Sequence, residues 1–149
     1  MDLRFKAAEA AKLIDTSAID VARLGQIIVP DIPAHGKGFH SLYSFRNLVE
    51  MQLAGRMAAF GVPQKRIQRL IIALRTSRCQ WLNYEGRYGF IICDDSWRWS
   101  AGETLEVAIR SIPHPMPALA VIIVDLAAIK MSIRKNIELN IIEGEVLHE

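Results

Sequence analysis

The sequence has little cysteine, no long apolar run and no metal- or phosphate-binding signature, and each shortage removes a class of protein. Only Cys79 and Cys93 carry thiols among 149 residues. Two cysteines cannot staple a fold of this size, so reduced thiols in a cytoplasmic protein are expected, both acting as small buried hydrophobes. No stretch approaches the ~18–20 apolar residues of a membrane span. The longest, residues 118–124, is strand-length and is bracketed by Pro117 and Asp125. No apolar core of a secretion signal follows the first six residues. The four histidines are scattered and no C-x-x-C occurs, which argues against zinc. Asp94-Asp95 lacks further oxygen ligands at calcium-loop spacing. No metal or cofactor is therefore expected. H-E-x-x-H, nucleophile–base spacings and glycine-rich phosphate loops are also missing, so the residues point away from an enzyme.

What is present is a globular composition, 51% hydrophobic and 23% charged. The net charge is only +2, but it is unevenly placed. Residues 1–78 hold twelve Lys and Arg against six Asp and Glu, whereas residues 79–149 hold six against ten. A basic half joined to an acidic half is the pattern of a nucleic-acid-binding module beside a non-binding one. Solvated basic helix faces leave the same surplus, so charge alone does not decide.

Periodicity places the elements. Phe5, Ala8, Ala11 and Leu13 predict a first helix, closed by the turn residues Asp15-Thr16-Ser17. A second short helix spans residues 18–24, capped by Ser17 or Thr16 and ended by Gly25. Residues 26–29 and 39–43 read as short strands around a loop that holds His35, Gly36, Lys37 and Gly38. Ser44 caps a longer helix with Phe45, Leu48, Val49, Leu53 and Met57 on one face. It stops at Gly61, and Pro63 opens a basic helix that carries Ile67, Leu70, Ile71 and Leu74. In the second half, residues 80–83 and 87–93 predict a hairpin turning at 84–86, then a loop over 94–102 and a strand over 104–109. A proline-rich connector at 113–117, a strand at 120–124 and a final helix capped by Asp125 follow. Trp97 and Trp99, two apart, either cover a small β-layer or line a ligand pocket. The expected fold class is α+β: an N-terminal winged helix-turn-helix (residues 1–76), followed by a small antiparallel β-layer with a C-terminal helix (residues 77–149).

Helix-turn-helix, strand, polar loop and strand, in that order, precede Tyr43-Ser44-Phe45-Arg46-Asn47-Leu48 and then Phe60-Gly61-Val62-Pro63-Gln64-Lys65-Arg66-Ile67. Together with Ala7-Ala8-Glu9-Ala10-Ala11-Lys12-Leu13, these motifs resemble a MerR-type winged helix-turn-helix regulator over roughly residues 4–76. The resemblance implies double-stranded DNA binding as a homodimer and control of transcription. The family's Arg-aromatic run after the second helix is represented here only by Arg23, and Ser41 stands at its wing arginine.

Phosphate contacts come first in such an interface, since cation neutralisation supplies most of the non-specific affinity. The candidates are Lys12, Arg23, Lys37 and Arg46, with Ser17 and Tyr43 as hydroxyl donors and His40 beside the wing position. Base reading would fall to Ser17, Ala18, Asp20 and Arg23 on the second helix. Lys65, Arg66 and Arg69 read first as a solvated helix face. The rival expectation is an antitoxin-like interaction module that binds a partner protein through its C-terminal half. That half also leaves room for a small-molecule effector near Trp97 and Trp99.

Overall fold

A computed structural model describes residues 3–34, 41–83, 89–94, 96–111 and 121–142. Six helices and two small antiparallel sheets among them make an α+β fold. Strand β1 (Arg4–Phe5) leads into helix α1 (Ala7–Leu13), whose first turn is tied by the Lys6 N–H donating to the Glu9 carboxylate at 2.7 Å. Phe5, assigned by periodicity to the helix, sits instead in β1 and is fully buried. α1 ends with Asp15 in the left-handed region, φ +54°. The Thr16 N–H returns to the Ala11 carbonyl at 2.8 Å and the Asp15 N–H to Lys12 at 3.2 Å. This is the closure usually built on glycine, which aspartate tolerates better than most residues.

Helix α2 (Ala18–Leu24) follows after four residues. Ser17 caps it by accepting the Asp20 N–H at 3.1 Å, and Gly25 ends it. Residues 26–29 are not the expected strand. The N–H groups of Ile27 and Ile28 both donate to the Leu24 carbonyl at 2.8 Å, so helical turns continue. Their β-branched character lost to packing, because this turn drives Ile28 fully into the core. Ile32 and Leu42 exchange both backbone hydrogen bonds, and strand β2 (Tyr43–Ser44) pairs antiparallel with β1. The connection between α2 and β2 is thereby drawn back onto the start of the chain. Residues 35–40 lie outside the described ones.

Ser44 caps helix α3 (Phe45–Ala59), as its sequence predicts, by accepting the Asn47 N–H at 3.2 Å. Gly61 ends α3 at φ +83°, with the Val62 N–H on Met57 at 3.1 Å and its own on Ala58 at 2.9 Å. Helix α4 (Gln64–Thr76) then buries the expected stripe of Ile67, Leu70, Ile71 and Leu74. Within α3, a Cβ added at Gly55 meets nothing within 4 Å. Gly55→Ala should therefore raise the unfolding free energy by about 0.5–1 kcal/mol, the helix-interior cost of glycine. A urea titration would show it as a higher midpoint at unchanged slope, and an unchanged or lower midpoint would disprove it.

The second half departs most from expectation. Residues 80–83 form a turn, with Gln80 at φ +52°, that tucks Trp81 and Leu82 into the core. The expected hairpin turn at 84–86 lies outside the described residues. Strand β3 (Phe90–Asp94) is present, but the predicted loop over 94–102 contains strand β4 (Trp99–Gly102). Asp94 makes this reversal tight: its carboxylate accepts the N–H groups of Ser96 (2.9 Å) and Arg98 (2.8 Å) and the Arg98 Nε–H (2.9 Å). The predicted strand over 104–109 is helix α5 (Leu105–Ser111), capped by Thr104 accepting the Val107 N–H at 3.2 Å. Its alternation was misleading, because Leu105, Val107 and Ile109 are exposed and Ala108 is the buried residue. Strand β5 (Val121–Asp125) and helix α6 (Leu126–Ile142) follow as expected, with Asp125 accepting the Ala128 N–H at 3.2 Å.

The sheet runs β4-β3-β5, all antiparallel. α5 covers one face through Ile92 and Ala108. On the other face Ile91, Cys93 and Val124 merge with Leu48, Leu53, Ile133 and Ile137 into one core shared by both halves. Trp97 and Trp99 lie against that core, partly buried. Both cysteines are free thiols, Cys93 buried and Cys79 partly so. Among the described residues no helix is long and apolar enough to cross a membrane.

Candidate nucleic-acid interface

Helix α2 is held from beneath by Val21, which is fully buried, while Ala22 and Arg23 face solvent. Its outer charges are mutually occupied. The Arg23 guanidinium stands 3.7 Å from the Asp20 carboxylate, and both side chains are well exposed. Asp20 also accepts hydrogen bonds from the hydroxyls of Ser17 (2.8 Å) and Thr16 (3.1 Å). These hydroxyls, with Arg23 nearby, hold its carboxyl below the usual aspartate range, so it stays charged. Ser17 is thus engaged within α2 as cap and donor, and the outer face of the helix carries one compensated pair. Lys12 is exposed on the last turn of α1.

Two of the predicted phosphate-contacting residues have interior roles. Tyr43 is only 6% exposed, and burial pushes its phenol up. A Cβ on Gly25 would lie 3.6 Å from the Tyr43 hydroxyl, which places this group beneath the end of α2 rather than outward. Arg46 donates to the Asp31 carboxylate at 2.5 Å and stands 3.4 Å from that of Glu50. Lys37 and His40 fall outside the described residues.

Sequence reading missed the polar cluster that takes up Arg46. Glu50 is fully buried and accepts two hydrogen bonds from Arg75, at 2.9 and 2.6 Å. Arg75 also donates to the Val29 carbonyl at 3.0 Å. Asn47 bridges Val29, Asp31 and Ser44 through its side-chain amide. Burial would raise the Asp31 carboxyl, but hydrogen bonds from Ser44 and Arg46 and the guanidinium charges hold it below its ordinary value. Burial does win at Glu50, pushed up to about 6 against the pull of Arg75 and Arg46. The cluster locks the chain leaving α2 onto α3 and α4. One signal was available: Glu50 is the only carboxylate between Asp31 and Glu85, in a stretch holding eight Lys and Arg. A second buried charge, Lys130 on α6, is pushed down to about 8 by burial, with the charge of Arg134 adding to the effect.

Other cations lie on α3 and α4. Arg56 near the end of α3 and Lys65, Arg66 and Arg69 on α4 are exposed. No hydrogen bond or ion pair among the described residues engages them. α4 is fixed beside the end of α2 by the Gln68 side chain, which donates to the Gln26 carbonyl at 3.2 Å. No model of a known protein family and no curated protein matches the sequence.

Proposed function

We propose that the chain is a sequence-specific DNA-binding transcriptional regulator, acting in the cytoplasm as a homodimer. Residues 1–76 would serve as a MerR-like winged helix-turn-helix. The observation that carries this reading is α2 itself: a capped two-turn helix, buried on one side at Val21 and open on the other, four residues after α1 and within the basic half. The pairing of β1 with β2 supports it, since it joins the strand before the helix pair to the strand that opens α3. The compensated Asp20–Arg23 pair shifts the electrostatic weight to Lys65, Arg66 and Arg69.

Fluorescence anisotropy with labelled duplex DNA over a salt series tests this. Binding should weaken steeply with salt, and Lys65→Ala or Arg69→Ala should each lower the log–log slope by about 1. Asp20→Asn removes a negative charge from the docking face and releases Arg23, so it should tighten binding about fivefold, or ~1 kcal/mol. Affinity indifferent to salt and to all three substitutions would remove the reading.

The exposed Val107, Ile109, Val121 and Ile123 favour a second reading, an antitoxin-like module that binds a protein through its C-terminal half. A stoichiometric partner on purification from the native host, lost with Ile109→Lys, would support it.

A further inference from the structure

Strand β5 is an edge of the sheet β4-β3-β5, and among the described residues no strand pairs with its outer side. The Leu126 N–H donates to the Gly89 carbonyl at 2.9 Å, which fixes the alternation of the ladder. Ile122 and Val124 turn their backbone groups to β3, whereas Val121, Ile123 and Asp125 turn theirs away from it. The side chains of these three share the face on which α5 packs. That cover stops at β3: Ile92 is 1% exposed against Ala108, while Ile123, its cross-strand partner, is 48% exposed, as is Val121. Soluble proteins blunt such an edge with lysine, proline, a bulge or a very short strand. β5 uses none of these. Val121-Ile122-Ile123-Val124 are four β-branched residues in unbroken register with β3, and the one charge is Asp125 at the end.

We propose that β5 pairs antiparallel with β5 of a second copy, about a two-fold axis through Ile123, so that two three-stranded sheets become one. Ile123 then faces the second copy's Ile123, and Val121 faces its Asp125. Each facing pair exchanges both hydrogen bonds, so every outward N–H and C=O of the strand is satisfied in both copies. Charge selects this register. Facing like charges are destabilising, and here the two Asp125 carboxylates stand roughly 14 Å apart along the strands. An axis through Asp125 would set them face to face, and an axis moved by one residue would present groups already bonded to β3. The axis runs perpendicular to the sheet, so Val121 and Ile123 of both copies meet on one face. α5 adds exposed Val107 and Ile109 on the same side. The pairing gives the homodimer proposed above its interface. Its use in DNA binding rests on that reading, whereas the association itself does not.

Sedimentation velocity over a concentration series, without DNA, tests the pairing. The unaltered chain should sediment at twice its own mass. Ile123→Pro removes an outward N–H and no bond to β3, a change that edge strands tolerate. Ile123→Lys keeps the backbone and sets two ammonium groups face to face on the axis. Both variants should sediment as monomers with unchanged far-UV circular dichroism. In a Cys79→Ser background, oxidised glutathione should link Ile123→Cys into a covalent dimer, because facing Cα atoms in such a pair lie ~5.5 Å apart, within disulfide reach. Val121→Cys should not link to its counterpart, roughly 14 Å away along the strands. A monomer at every concentration, a dimer that survives both Ile123 substitutions, or equal linking at the two cysteine positions would overturn the proposal. In the anisotropy assay, Ile123→Lys should bind duplex DNA about a hundredfold more weakly, the avidity that two joined heads supply. A β5-paired dimer of which no version binds DNA would remove the regulator reading and leave the interface standing.

Discussion

Gly102→Ala should lower the unfolding free energy by about 3 kcal/mol, at the upper end of overpacking costs. At the end of β4, an added Cβ would lie 2.5 Å from the Ala108 backbone nitrogen and 3.0 Å from both the Ala108 Cα and the Val107 carbonyl carbon. All three are backbone atoms of α5, so no side chain can swing aside. α5 must lift off the sheet or β4 must bend away from β3. Ser100 adds to the constraint, because its hydroxyl donates to the Ala108 carbonyl. Chemical denaturation followed by far-UV circular dichroism gives the value. Gly55→Ala is the matched control, being the same substitution with the opposite sign. A loss under 1 kcal/mol at Gly102 would mean that α5 is not pressed against β4 as described.

Glu50→Ala should cost about 3 kcal/mol, because removing one partner of a buried ion pair strands the other. Arg75 and Arg46 would then face each other across the lost carboxylate, and the chain leaving α2 would lose its anchor at Val29 and Asp31. The more specific result is in the pH dependence. The carboxyl is held at about 6 in the folded chain against an ordinary 4.5. The folded state therefore takes up the proton more readily than the unfolded one. Its stabilising contribution is complete below pH 4.5 and fades as pH rises through 6, a change of about 2 kcal/mol. Glu50→Gln should flatten that descent between pH 4.5 and 6.5. Urea midpoints across this window, for both proteins, check it. Identical pH profiles would show that Glu50 titrates as an ordinary carboxylate.

The legible parts of the sequence were those where local chemistry and tertiary packing agree. Ser17 and Ser44 cap helices because a hydroxyl before an apolar stripe has an orphan N–H within reach. Gly61 ends α3 because the closing residue needs positive φ. The misread parts were short apolar windows in which two periods fit equally well. Residues 26–29 carry a strand composition, yet the need to bury Ile28 kept them helical. Residues 104–109 alternate as a strand does, but the alternating residues are the exposed ones. β4 was hidden because its turn depends on Asp94 collecting three donors, a property of geometry and not of the turn-rich string. Of the interface candidates, Ser17, Lys12 and Arg23 are exposed, though Arg23 is shared with Asp20. Tyr43 and Arg46 were misplaced for one reason: a hydroxyl or guanidinium looks the same in sequence whether it meets solvent or a buried carboxylate.

Asn136 reaches Leu13 across 123 positions of the chain, and Ile129, Ile133 and Ile137 close the core over α1 and α3. The N-terminal helices are consequently made well before the helix that seals them. Until α6 emerges, Phe5, Leu13 and Leu48 lack their final cover. The nascent basic half thus spends most of its synthesis with apolar surface open, the condition in which chaperone binding competes with folding.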